Sequence, residues 1–255
     1  MLRRVASVAL VLLALAAMGG TAQADACRDA RFEGARYIVC TFDPGQDDLR
    51  LYWRGPDGRA FRTFGALSQA LQSQGRELRF AMNGGMYEDD FSPVGLYVEN
   101  GRRLAKANTK TVTGRPSQIP NFYKKPNGVF YLSGGRAGVL ATEQYLAKAP
   151  KARFATQSGP MLVIDGEIHP AFLVRSRDLK PRNGVGVSPD GKVHLVMTRG
   201  RVSFYAFARF FRDGLGTPNA LFLDGGSAPG IYAPGLRRND PPSHGGYGPI
   251  IAVVE

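Results

Sequence analysis

The chain has 255 residues, 44% of them hydrophobic, and a formal net charge of +12. That length suits one large domain with apolar residues enough for a core, and the composition reads as globular rather than disordered. The charge favours anionic partners, although no long run of Lys or Arg appears and a generally basic, solvated surface accounts for it equally well.

The N-terminus has the layout of a secretory signal peptide. Arg3 and Arg4 form a basic start, residues 5–18 are apolar, and Ala22-Gln23-Ala24 is a small-x-small cleavage site. The apolar run is short for a membrane span, and no later segment approaches that length. Residues 1–24 are therefore expected to be removed, leaving a domain over residues 25–255 with a charge of +10. The residues before Cys27 do not form a lipoprotein box, so no lipid anchor is expected. An exported protein of this charge meets phosphorylated or acidic envelope glycans rather than nucleic acid. Cys27 and Cys40 are the only cysteines, and in an oxidising compartment they read as one disulfide. The three histidines, 169, 194 and 244, are scattered, which argues against a zinc site.

Strand signals dominate from there on. In chain order they are "RYIVCTF" (36–42), "LRLYW" (49–53), "LRFAM" (78–82), "VGLYVENGRRL" (94–104), "GVFYL" (128–132), "PMLVIDGEI" (160–168), "GVGVSPDGKVHLVMT" (184–198), "ALFLDG" (220–225) and "PIIAVVE" (249–255). Asn100-Gly101, Asp165-Gly166 and Asp190-Gly191 mark hairpin turns. Helices are few. "ALSQALQSQG" puts Leu67, Ala70 and Leu71 on one face and stops at Gly75. "TEQYLAKAP" starts from a Thr142 cap and ends before Pro150. "SFYAFARFFRDG" has Ser203 as N-cap and a phenylalanine-rich, buried face. The fold class that follows is α+β: a strand-rich single domain with mixed β-sheets and a few packed helices. The phenylalanine helix leads directly into "NALFLDG", which makes that strand central. "NDPPSHGGYGP" (239–249) reads as a surface loop.

Four places share one pattern, an apolar strand that ends abruptly in polar residues and glycine: "FAMNGGMY", "ATQSGPMLV", "RNGVGV" and "FLDGGS". "KPNGVF" is a weaker fifth. Glycines there let a ligand approach the backbone and leave N–H groups for an anion. Four turns presenting Asn83, Ser158, Arg182 and Asp224 suggest one shared cleft. None carries the Lys-Ser/Thr of a phosphate loop or fits a dinucleotide fingerprint.

In order and wording, these motifs, together with "PVGLYVENG", "NFYKKPNGVFYL" and "NALFLDGG", resemble the phosphodiester glycosidase domain family over roughly residues 75–255, most closely its small secreted bacterial members. The resemblance implies the fold and a reaction on a sugar joined through its anomeric carbon to a phosphodiester. Such a substrate has a stable anionic leaving group and needs less acid assistance than an ordinary glycoside. Its site needs a cation for the phosphate, a carboxylate to activate water or steady an oxocarbenium ion, and donors for sugar hydroxyls. Arg182 suits the first role and Asp224 the second. Asn83, Asn127 and Ser158 suit the third, with backbone donors at Gly84, Gly85, Gly225 and Gly226. The resemblance carries Asn83, Arg182 and Asp224 as the catalytic set.

Each assignment has a plainer rival. Asp224 could cap an Asx-turn, Arg182 could pair with Asp178, and Asn83 could serve a left-handed turn. Glu88, Asp89 and Asp90 could be a solvated loop, a second carboxylate or a divalent-cation site; no other cofactor is signalled. Trp53, Tyr87, Tyr123 and Tyr232 could stack on a sugar or pack in the core. The functional expectation is an exported hydrolase of a sugar-1-phosphodiester in an envelope or extracellular glycan. Its competitor is a non-catalytic phosphoglycan-binding or envelope-assembly module on the same fold.

Overall fold

A computed structural model describes residues 26–115 and 117–255; the expected leader lies outside the described residues. Among those residues the strands form three antiparallel sheets, with short helices against their outer faces. The largest has seven strands in the order Cys27–Phe32, Ala35–Phe42, Val193–Thr198, Arg182–Val187, Asn219–Gly225, Met161–Ile164, Glu167–Ile168. A five-stranded sheet runs Arg238–Asn239, Ile231–Ala233, Leu78–Asn83, Ile250–Val254, Asp48–Tyr52. The third runs Arg102–Ala105, Tyr97–Glu99, Phe154–Ser158, Gly128–Ser133, Arg136–Ala141. "NALFLDG" is an interior strand of the first sheet, as its hydrophobicity implies.

The three sheets turn their inner faces to one shared core. Ile38, Leu195 and Leu221 of the first sheet meet Phe80, Met82 and Ile251 of the second and Tyr97, Phe130 and Phe154 of the third. Strand alternation leaves each sheet an outer apolar face, and each is covered by its own helix. Phe64–Gln72 places Phe64, Leu67 and Leu71 against Ala81, Ile250 and Ala252. Thr142–Lys148 places Tyr145 against Val129 and Ala155. Phe204–Arg209, continued by the wider turn Phe210–Gly214, places Phe207, Phe210 and Phe211 on Tyr37, Val39 and Phe222.

The helix starts follow their caps. Thr63 Oγ1 accepts from the Ala66 N–H at 3.0 Å and Ser203 Oγ from the Ala206 N–H at 3.1 Å, each satisfying a donor the first turn leaves free. Thr142 is not the cap. It is the first helical residue, and its hydroxyl donates to Asn127 Oδ1 at 2.8 Å. The glycines of "RNGVGV" also have a different purpose from the one expected. They lie inside a strand, where a Cβ on Gly184 would come within 3.2 Å of both Phe207 and Phe211, and one on Gly186 within 2.8 Å of Phe211. They make room for the phenylalanine helix.

The segment 239–249 is a surface loop only in its first half. Tyr247 is buried, stacks on Phe64 at 4.5 Å and donates its hydroxyl hydrogen to the Asp240 carbonyl at 3.0 Å.

Cys27 and Cys40 are direct partners across the first hairpin and form the expected disulfide. Replacing both by Ser is expected to remove about 3 kcal/mol of stability in the chain-entropy account. Urea unfolding would show this as a lower midpoint, and a reducing agent should reproduce the loss in the wild type and cause none in the variant.

Candidate functional site

The ends of strands from all three sheets meet around Asp224. At the end of two interior strands of the first sheet, Asn183 pairs with Asp224, and a bulge at Leu223 lets Gly184 pair with Phe222. The bulge lets Phe222 face the helix layer while Asn183 and Asp224 face the junction with the second sheet. Asn183 then uses its whole carboxamide. Its Oδ1 accepts the Asp224 N–H at 2.8 Å, and its Nδ2 donates to Asn83 Oδ1 at 2.7 Å and to the Asn83 carbonyl at 3.1 Å. Asn83 Oδ1 also accepts the Gly230 N–H at 3.0 Å. Since backbone N–H groups can only donate, these bonds fix the orientation of both amides.

Other bonds hold the Asp224 turn. Ser158, at the end of a third-sheet strand, donates its hydroxyl to the Leu223 carbonyl at 2.8 Å. The Gly225 N–H donates to Asp224 Oδ1 at 2.8 Å, and the Gly226 N–H to the Pro181 carbonyl at 3.0 Å. Asp224 lies against a cleft of about 500 Å³. Protein surrounds its carboxyl on most sides, and this burial pushes its pKa up to about 7, against the opposing pull of the Gly225 N–H. At neutral pH the group can both give and take a proton.

The cleft walls are aromatic and acidic. Tyr87 and Phe91 stack at 5.8 Å on one side, and Phe122 and Tyr123 meet edge to face at 5.2 Å on another. Tyr87 donates its hydroxyl to the Gly246 carbonyl at 2.9 Å. Burial, reinforced by the Asp224 charge, raises this phenol to about 12, so it stays protonated. Glu88 and Asp89 line the same cleft, and His244 reaches it with its Nε2 2.5 Å from Ser227 Oγ. None of the described residues lining the cleft is Lys or Arg. Arg62 stands over the Phe91 ring at 4.4 Å and Lys110 over the Tyr123 ring at 6.0 Å. Among the described residues, no three His, Cys, Asp or Glu side chains gather to hold a metal ion.

The expected turns at 83, 158, 182 and 224 do converge, but not every expected side chain faces the cleft. Asn83, Ser158 and Asp224 belong to one hydrogen-bonded assembly. The Arg182 side chain is fully buried on the opposite face of its sheet. Its guanidinium lies 3.6 Å from the Phe204 ring centre, Nε donates to the Val202 carbonyl at 3.0 Å, and a terminal nitrogen reaches the Asp178 carbonyl at 3.1 Å and its carboxylate at 3.5 Å. Burial lowers its pKa to about 10, against the attraction of Asp178, so it remains charged. Its geometry suits fastening the chain around Asp178, the plainer of its two expected roles, rather than binding phosphate.

Asn127 is likewise internal. It donates to the Phe122 carbonyl at 3.0 Å and accepts from Thr142, so it supports the cleft wall from behind. Backbone donors are mostly spent within the fold, the Gly84 N–H on the Pro249 carbonyl and those of Gly225 and Gly226 as above. Gly85 sits against Thr156 and Ser158. Trp53 belongs to the shared core and Tyr232 packs beside the Phe64–Gln72 helix, while Tyr87 and Tyr123 face the cleft.

Sequence reasoning passed over Asn183 and His244. Asn183 was legible in principle, because strand alternation puts 182 and 183 on opposite faces. Nothing local marks His244, which the chain fold brings to Ser227 from 17 residues away.

The phosphodiester glycosidase family model matches residues 76–253. An uncharacterized protein of Escherichia coli K12, YigE, is 34% identical over 185 residues, covering 72% of this chain and 70% of its own. Among solved structures, the zebrafish N-acetylglucosamine-1-phosphodiester alpha-N-acetylglucosaminidase catalytic domain, auto-inhibited by its pro-peptide, superposes with a TM-score of 0.58 at 17% identity. That match covers 89% of this chain and 81% of the zebrafish domain. A hypothetical protein from Synechocystis gives 0.54 at 16% identity, covering 89% and 61% respectively. At these identities the two structures share the fold.

Two stability measurements test this geometry. Asp224 holds its proton in the folded state at pH values where the unfolded chain has lost it. Its contribution is thus intact below about pH 4 and lost as pH rises to about 7. Asp224→Asn is therefore expected to be more stable than the wild type at pH 8, by about 2 kcal/mol after allowing for water in the cleft, with the gap closing by pH 4 in urea unfolding. Asn183→Ala, which strands the Asp224 N–H and removes one of the two bonds to Asn83 Oδ1, is expected to cost about 2–3 kcal/mol in the same assay at pH 7.

Proposed function

The chain belongs to the phosphodiester glycosidase family, and from that premise we propose that it is an exported hydrolase of a sugar-1-phosphodiester in an envelope or extracellular glycan, with Asp224 as the general base. The observation that carries this reading is the half-buried carboxyl poised at about 7 against the cleft. Water attacks the anomeric carbon as the bond to the phosphate oxygen breaks. Asp224 in its ionised form takes the water proton and faces the positive charge that develops on the sugar ring. The departing group is a phosphate monoester, which leaves as a stable anion and needs little help.

The walls suit the rest of the substrate. Tyr87, Phe91, Phe122 and Tyr123 offer flat apolar surface to a sugar ring. Asn83 Nδ2 is buried behind the cleft and finds no acceptor among the described residues, a cost of about 1–3 kcal/mol. His244, held by Ser227, offers an imidazole N–H to the phosphate, and Arg62 and Lys110 add positive charge around the cleft. Arg182 serves as a positioning residue through Asp178 and Val202.

Export is part of the same proposal. It rests on the leader-like N-terminus and the Cys27–Cys40 disulfide. No helix among the described residues is long and apolar enough to cross a membrane.

Synthetic sugar-1-phosphodiesters, scored by sugar release, test the reaction. Asp224→Asn is expected to lower kcat by about 10²–10⁴. The wild-type kcat/KM should rise with pH to a plateau through an inflection near 7, which the variant lacks. Full activity in Asp224→Asn would remove the mechanism. Saturable binding without turnover would favour the non-catalytic module.

A further inference from the structure

The segment from His169 to Lys180 has no part in the cleft chemistry, yet it is firmly built. The His169 ring is buried; its Nδ1 accepts the Ala171 N–H at 3.1 Å, so Nε2 donates to the Lys125 carbonyl at 3.0 Å. Phe172 stacks on His169 at 4.7 Å and on Phe204 at 4.8 Å. At the other end Arg182 grips Asp178, Lys180 and Val202 exchange backbone hydrogen bonds, and Arg201 Nε donates to the Leu179 carbonyl at 3.0 Å. Between these anchors the Ser176 N–H donates to the Leu173 carbonyl and closes a turn.

The tip of this segment is apolar and exposed. Leu173 is 72% and Val174 68% exposed, and with Leu179 they supply three of the five large exposed hydrophobics among the described residues. Single exposed apolar residues are ordinary. Three within seven residues, held outward by clamps at both ends, are not explained by packing. Exposed Arg175 and Arg177 follow Leu173 and Val174, while Lys180 pairs with Asp178 at 3.1 Å, and the chain as a whole is strongly basic.

Apolar side chains at a tip, followed directly by two exposed arginines, match the interface of an anionic bilayer. Leu and Val enter the headgroup–acyl boundary while the guanidinium groups stay among the phosphates. Each cation near such a surface multiplies partitioning by about five. A protein partner would also cover apolar side chains, but the two arginines favour a surface of dense, unstructured negative charge. The segment is also continuous with the cleft wall: Phe172 and the cleft residue Met86 pack on the same cluster. We infer that residues 173–180 form a docking tip that seats this protein on the surface of an anionic membrane. This goes beyond the hydrolytic reading and stands or falls independently of it, because the test below needs no turnover.

The chain from Asp25 onward, which holds all three sheets and the shared core, would be sedimented with vesicles of phosphatidylcholine alone and with added phosphatidylglycerol. The wild type is expected to bind the anionic vesicles and to release on raising the salt to about 0.5 M. Binding should fall at least about fivefold in Leu173→Ser/Val174→Ser and in Arg175→Gln/Arg177→Gln, with melting temperatures within a few degrees of the wild type. Equal sedimentation with both vesicle types, or wild-type binding in both double variants, would overturn the inference. So would a wild-type dimer that the Leu173→Ser/Val174→Ser change dissociates, since the tip would then cover a second copy.

Discussion

One carboxamide joins the elements on which the site depends. Asn183 sits where the largest sheet meets the second, and its three hydrogen bonds tie the backbone of Asp224 to Asn83. Ser158 adds the third sheet through the Leu223 carbonyl. Three sheets that share an apolar core need some polar device at their common end, because buried backbone groups must find partners. Here that device also delivers an acid. The Asp224 carboxyl is carried by strand ends, and among the described residues it accepts one hydrogen bond, from the Gly225 N–H, so desolvation dominates its titration.

The charge distribution divides labour between surface and cleft. The protein is basic overall, yet the cleft is lined by Asp224, Glu88, Asp89 and aromatic rings, with His244 the one imidazole. The basic surface favours an anionic partner at long range, but the cleft offers no Lys or Arg among its described lining residues to contact one, and Asp224 titrates under desolvation opposed only by the Gly225 N–H. Arg182, the cation expected to make that contact, is instead sandwiched behind the sheet over Phe204. It anchors the segment that ends in the exposed Leu173–Val174 tip.

Much of the fold was legible in the sequence. The strand runs through 36–42, 78–82, 128–132 and 249–255 are hydrophobic enough to declare themselves, and the Asn100-Gly101 and Asp165-Gly166 turns have the positive φ values their residues allow. Other strands carry a weaker signal. Cys27–Phe32, which no hydrophobic run announces, is an edge strand half made of charged residues, and Phe154–Ser158, expected only as the start of "ATQSGPMLV", is wholly buried although three of its five residues are polar. Thr156, Gln157 and Ser158 are buried because each bonds a neighbouring element, which no hydropathy pattern reveals.

The candidate cleft was legible in the sequence only to within one residue. "RNGVGV" does run beside Asp224, but a strand reverses faces at every step, and the side chain at 183 meets Asp224 while that at 182 does not. The glycines read as ligand-facing there answer to Phe207 and Phe211. The account turns on Asp224 being a carboxyl that titrates near neutrality, and following its side-chain carbonyl resonance by ¹³C NMR as pH is varied measures that property directly. A midpoint near 7 is the predicted result; a midpoint near 4, the value of a solvated aspartate, would contradict it.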